Sequence, residues 1–239
     1  MVRVPVPAGL IAAFSESSDG NMSLTHGPTG ASADNRSRFC AAAGIDIGAL
    51  VVPRQVHGDR IVRVSKADRG KGALQAHSAV ADTDALITDQ PGVACCVQTA
   101  DCLPVFLYDP GSGSIGIVHA GWRSTQLQLA AKTVRMMQES CGASAQGICA
   151  WVGPCLGPCC YEVGEEFAGY FPQDVSRSSG RLHFDIAAAN RRQLLACGVP
   201  AGQIVSAGAC TACHAQRFFS HRRQAASAGR MLSVIQIAR

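Results

Sequence analysis

Charge is what this sequence has least of. Asp, Glu, Lys and Arg make up 16% of its 239 residues, well below the ~25% of an average soluble domain. That shortage argues against a disordered chain and against a charge-rich coiled coil. Acidic residues stop altogether at Asp185, while Arg191, Arg192, Arg217, Arg222, Arg223, Arg230 and Arg239 follow it. Residues 1–185 therefore hold 14 basic against 17 acidic groups beneath a net charge of +4. An acid-free C-terminal quarter suits nucleic acid, a membrane surface or a small anion such as phosphate. Its arginines come in pairs and singles, with only Phe218 and Phe219 nearby to stack on bases, so nucleic acid is not the expected partner. The bland alternative is a solvated basic face.

A long apolar run is also missing. Ser140 to Tyr161 carries no Lys, Arg or Asp, yet Gly142, Gly147, Gly153, Pro154, Gly157 and Pro158 interrupt it. Such a segment suits turns, not a span of ~20 apolar residues. The opening residues Met1 to Leu10 hold one basic residue and two prolines around a short apolar stretch, which does not read as a secretory signal. A cytoplasmic protein is expected, with no membrane partner. Stable disulfides are then unexpected, although the chain has twelve cysteines. These are left as metal ligands or as small buried hydrophobes.

At 47% hydrophobic the chain can bury a real core, and no linker, repeat or low-complexity tract divides it. One domain over 1–239 is expected. Apolar runs read as strands at Leu10–Phe14, Ile61–Val64, Ala85–Thr88, Val93–Val97, Val105–Tyr108, Ile115–His119, Ile148–Val152 and Leu232–Ile237. Helical spacing covers Ala33–Ala43 and Ile186–Cys197. It also aligns Leu127, Ala130, Ala131, Val134 and Met137, capped by Ser124 or Thr125. Strands interleaved with helices place the fold in the α/β or α+β class.

Leu103–Tyr108 and Ile115–His119 flank the turn-rich loop Asp109 to Ser114, so they should pair as a hairpin. With the loop centred near Pro110–Gly111 or one residue later, Cys102 and His119 lie opposite or nearly opposite at its open end. Gly111 to Gly116 spells the dinucleotide fingerprint, but a strand pattern follows where that motif needs a helix. Cys210-Thr-Ala-Cys213-His214 spells a haem-attachment motif, which requires export. As a zinc knuckle it would need a second pair, which Cys155, Cys159 and Cys160 could supply; the plain alternative is buried thiols.

Three segments carry chemistry: Gln55-Val-His57-Gly58, Thr99-Ala-Asp101-Cys102-Leu-Pro104 and Val118-His119-Ala-Gly-Trp122-Arg123. Each sets a ligand-type residue where a strand gives way to a loop beside Gly or Pro. His57, Cys102 and His119 offer the three N/S donors of a catalytic zinc with an open fourth position. The same residues suit a Cys102 thiolate nucleophile with His119 as base and Asp101 as orienter.

On these blocks the chain resembles the polyphenol oxidase or laccase-domain family, many members of which are regarded as purine nucleoside phosphorylases. The likeness spans nearly the whole sequence. It includes Phe14-Ser15, Asp19-Gly-Asn21-Met-Ser23, Asn35-Arg36, Asp84-Ala-Leu, Gly153-Pro154 with Tyr161-Glu-Val-Gly164, Cys210-Thr211, Phe218-Phe-Ser220, Arg222-Arg223 and Gly229-Arg230. The resemblance implies a single-domain α-β-β-α layered sandwich with mixed sheets and a zinc site at His57, Cys102 and His119. It implies phosphorolysis of adenosine, inosine, guanosine and 5′-methylthioadenosine, with adenosine deamination as a second reaction. Purine nucleosides and phosphate are the expected partners. Asn21, Arg36, Arg222, Arg223 and Arg230 become candidate substrate-binding residues, and Asp101 and Arg123 candidate catalytic ones. Other readings are a Cys-His hydrolase editing peptidoglycan precursors, as some relatives are assigned, and an inactive zinc- or anion-binding module. A copper phenol oxidase fits less well, since the seven histidines include no His-x-His pair. The chain departs from the family pattern at Ser17, where an Arg is usual, at Ser124 and at His221.

Overall fold

Alternation along single strands dictates the layers of this protein, whose computed structural model describes residues 1–238. Leu10, Ala12 and Phe14 pack into one apolar cluster, while Ala13 between them packs into another. Cys95 and Val97 join the first cluster, and Ala94 and Cys96 the second. A strand buried on both faces must have a layer on each side. On one side of this sheet lies the helix Ser32–Ala43, through Phe39, Cys40 and Ala43. On the other lies a second sheet, contributing Leu86, Phe106, Ile115 and Ile117 to the shared core.

The first sheet has five strands in the order Val2–Arg3, Leu10–Phe14, Met231–Ile237, Ala94–Thr99, Leu50–Val51. Only the last pairing is parallel. The second has six, in the order Ile204–Ser206, Cys149–Val152, Leu103–Asp109, Ser114–Ala120, Ala85–Thr88, Ile61–Arg63, with parallel pairs at both edges. Its outer face holds Val105, Leu107, Val118 and Ala120 against the helices Leu129–Cys141 and Ile186–Ala196. Gly116 permits this close packing, since a Cβ there would stand 3.1 Å from the Met137 sulfur. The layers thus run helix, sheet, sheet, helix, with mixed sheets as expected. A small three-stranded sheet, Glu162–Val163, Arg181–Phe184 and Val175–Ser178, covers one end.

The expected elements are present with shifted ends, apart from one helix. Ser124 and Thr125 do not cap it; they lie buried inside a separate short helix, Trp122–Gln126, that starts at Gly121. Gln128, at φ 60°, breaks the chain between that helix and Leu129–Cys141, and Leu127 faces solvent. Asp185 does cap its helix, accepting the Ala188 N–H at 2.9 Å. All twelve cysteines are free thiols. Cys95 and Cys96 are fully buried on opposite sheet faces, and burial pushes both thiols far upward, so they act as small hydrophobes.

Candidate active site

Strand register assembles the site. The hairpin pairs Pro104 with His119 and Leu103 with Ala120, so Cys102 lies two residues diagonally from His119 at the open end. This is the later of the two expected loop centres. On the other side, Ala85 pairs with Val118, which sets Asp84 beside His119. The His119 N–H donates to the Asp84 carbonyl at 2.7 Å, and its Nδ1 lies 2.8 Å from Asp84 Oδ1. The ring nitrogen left for chemistry is therefore Nε2.

Asp84 also controls the third segment. Its carboxylate accepts the backbone N–H groups of Val56, His57 and Gly58 at 3.1, 3.0 and 2.8 Å. That clamp holds His57 at φ 60°, a left-handed conformation that costs a non-glycine residue energy. Burial opposes ionisation of Asp84, but the hydrogen bond and charge of His119 and those N–H groups outweigh it and keep the carboxyl below its ordinary range. Gln55 steadies the same loop by exchanging two 2.8 Å hydrogen bonds with the backbone of Gln98.

His57 Nε2 then lies 3.7 Å from Cys102 Sγ, and the donor atoms of His57, Cys102 and His119 all fall within 4.8 Å of one another. A tetrahedral zinc with Zn–N near 2.0 Å and Zn–S near 2.3 Å would separate N and S by about 3.6 Å. The donors are already spaced for such an ion. The Asp84–His119 contact is also the carboxylate–imidazole pairing that orients metal-bound histidines. Close packing leaves no slack: a Cβ on Gly121 would meet His57 Cδ2 at 2.8 Å and Cys102 Sγ at 3.3 Å. Burial alone would raise the Cys102 thiol. The charge and hydrogen bond of His119, then of His57, overcome this and bring it down to about 6.

These donors open onto a cavity of about 620 Å³. Arg54, Arg123, Arg222, Arg230, His26 and His221 bring cationic or polar groups to its wall, and Trp122, Leu156 and Tyr161 supply apolar surface. Arg123 stacks on Trp122 with Cζ 4.3 Å from the ring. Arg222 reaches the carbonyls of Cys160 and Glu162 at 3.4 and 3.0 Å and lies 5.6 Å from the Tyr161 ring. Arg230 is tethered by Nη1 to the carbonyls of Ala228 and Gly229 at 2.7 and 3.1 Å.

Three expected substrate residues lie elsewhere. Arg36 is 1% exposed and spends its guanidinium on the carbonyls of Met22, Gly72 and Ala73 at 2.6, 2.6 and 2.7 Å. It is a structural staple, not an anion site. Arg223 is likewise consumed by the carbonyls of Thr211, Ala212 and Phe218. Asn21 organises its own loop, donating to His26 O and Pro28 O and accepting the Arg230 N–H at 2.8 Å. Asp101 does line the cavity, but it does not orient His119. Its carboxylate accepts the Thr211 hydroxyl and the Arg222 N–H, both at 2.6 Å, and so clamps the C-terminal loops to the Cys102 turn. Asp84 holds the orienting position, although the sequence reading assigned it no task. The available signal was an acid directly preceding an entirely buried strand. Of the departures from the family pattern, Ser17 bonds to Gln216 O away from the cavity, Ser124 is buried, and only His221 faces it.

Residues 15–238 match the family described as "Multi-copper polyphenol oxidoreductase laccase". The chain belongs to that family. A relative named "Purine nucleoside phosphorylase" from Bacteroides thetaiotaomicron is 39% identical over 197 residues, covering 79% of this chain and 73% of its own. A relative named "Adenosine deaminase RL5", from an unknown prokaryotic organism, is 35% identical over 211 residues, 84% of this chain and 80% of its own. The crystal structure of YlmD from Geobacillus stearothermophilus superposes with a TM-score of 0.92 at 34% identity, over 97% of this chain and 93% of that one. Despite the copper in the family description, only two of the seven histidines, His57 and His119, join a donor cluster among the described residues.

Proposed function

We propose that this protein is a zinc-dependent purine nucleoside phosphorylase with a secondary adenosine deaminase activity. The observation that carries this reading is that the His57, Cys102 and His119 donors share one cavity with Arg123, Arg222 and Arg230. A volume of about 620 Å³ suits a nucleoside with phosphate beside it. The relatives named for phosphorolysis and deamination support the same substrate class.

His57, Cys102 and His119 would hold a zinc ion, which would supply Lewis acidity to the cavity. The protein's own groups do the rest. Arginine guanidiniums on the wall hold the phosphate dianion and screen its charge near the ribose C1′. Tyr161 and Trp122 give the base an apolar surface and exclude water from one side. Asp84 keeps the His119 proton on Nδ1, so that Nε2 stays a donor atom facing the cavity. Arg123, free of any tether except its stack on Trp122, is positioned to follow the phosphate or the leaving purine.

Incubation with adenosine, with and without phosphate, followed by chromatography, tests this reading. Phosphate-dependent release of adenine and ribose 1-phosphate is expected, with slower formation of inosine. Unchanged adenosine, inosine, guanosine and 5′-methylthioadenosine under all conditions would overturn it.

One observation favours a second reading. Cys102 lies within 4.8 Å of a His119 ring that Asp84 orients, and its thiol is lowered to about 6, as a Cys-His hydrolase acting on peptidoglycan precursors would need. Chelation separates the two: it abolishes metal-dependent phosphorolysis and leaves, or enhances, thiolate hydrolysis.

A further inference from the structure

Four cysteines that the active site does not use meet at one point. Cys159 and Cys160 lie in the turn after Pro158, and Cys210 and Cys213 in the turn before His214, about fifty residues further along the chain. Their sulfurs all fall within 4.8 Å of one another. Cys213 Sγ is 3.5 Å from that of Cys159 and 3.4 Å from that of Cys160. Cys155, the other candidate of the sequence reading, stays out of the group and is buried in the core.

We propose that Cys159, Cys160, Cys210 and Cys213 form a second, closed metal site that takes a thiophilic divalent cation of the zinc class. A tetrahedral Zn–S₄ centre with bonds near 2.3 Å has sulfur–sulfur edges of about 3.8 Å. The two shortest spacings, 3.4 and 3.5 Å, lie slightly below that value and all others stay within 4.8 Å, and four ligands leave no open position, so the site is structural. Two more features suit tetrathiolate chemistry. Gly157 N–H donates to Cys210 Sγ at 3.3 Å, a hydrogen bond of the kind that stabilises metal-bound sulfur. An S₄ centre also carries a net charge of −2, and two arginines are fixed to the backbone of its loops: Arg222 bonds to the Cys160 carbonyl and Arg223 to those of Thr211 and Ala212. Exposure of Cys159 and Cys213 gives the ion a way in.

The site joins two loops that build the cavity wall. One runs directly into Tyr161, and the other carries Thr211, whose hydroxyl holds Asp101. Metal binding here fixes that wall, whichever reaction the cavity performs.

The Cys102→Ser chain tests this, because it removes the thiolate of the active-site donor set. After purification it should retain about one zinc per chain, and refilling with cobalt(II) should give the intense visible absorption of a tetrahedral tetrathiolate. Adding Cys213→Ser or Cys159→Ser should weaken that spectrum and lower the zinc content. Should neither added variant fold, the cobalt spectrum of Cys102→Ser decides alone. A Cys102→Ser chain that takes up no cobalt into sulfur ligation overturns the proposal. So does a disulfide joining Cys213 to Cys160 or Cys159 in place of the metal. Absence of phosphorylase activity bears on the active-site reading and leaves this spectrum unaffected.

Discussion

Asp84 Oδ1 stands 2.8 Å from His119 Nδ1, and the same fully buried carboxylate holds the backbone of His57. One side chain thus aims two of the three metal donors. Asp84→Asn keeps the shape but removes the charge and turns one of the two accepting oxygens into an NH2 donor. Zinc affinity should fall about 10- to 100-fold, as for other lost carboxylate partners of metal-bound histidines. Competition with a chromophoric chelator measures this, and an unchanged affinity would mean that Asp84 only supports the fold.

Gly121 offers a test that leaves every donor in place. Its φ of −76° suits alanine, but the added Cβ would press on His57 and Cys102. Gly121→Ala should reduce metal content and activity together. Its unfolding free energy, measured in urea, should fall by little more than about 1 kcal/mol, because the crowding is confined to the site.

Cys102 sets a pH dependence. Its thiol, lowered from 9.0 to about 6, is ionised above that value and protonated as the pH falls through it. In chelator-treated protein, alkylation of the Cys102 peptide by iodoacetamide should rise with pH around a midpoint near 6. Cys95 and Cys96 should stay unmodified throughout, since burial raises both. A Cys102 midpoint near that of a free thiol would remove the histidine charge as its cause.

The arginines separate into two kinds. Arg123→Gln should raise the KM for phosphate about tenfold, the effect of losing ~1.4 kcal/mol from one charge-assisted contact, with the unfolding midpoint unchanged. Arg36→Met should do the reverse. Three buried carbonyls lose their donor, so stability should drop by about 3 kcal/mol while the KM for phosphate stays the same. Steady-state kinetics with phosphate varied, paired with urea unfolding, would show an exchange of roles if the assignment is wrong.

Local information carried part of this protein's design. Alternating apolar residues and the turn-rich loop at Asp109 to Ser114 determined the hairpin, and the hairpin alone brings Cys102 near His119. Asp185 followed by an apolar helical face, closed by Gly198, likewise determined a capped helix. Such features depend on neighbours within a few residues, where periodicity and turn chemistry act directly. Tertiary structure decided the rest. Nothing near Arg36 or Arg223 in the sequence marks them as staples of backbone carbonyls while Arg222 and Arg230 face a cavity, because a guanidinium's role depends on which carbonyls the distant chain presents to it. The same holds for Asp84, whose partners come from two other segments, and for the cysteines. Twelve thiols of one chemistry become core filler, an active-site donor or a four-sulfur cluster according to the loops that fold against them. Spacing along a chain cannot encode that choice, since convergence of sulfurs about fifty residues apart is a property of packing in three dimensions.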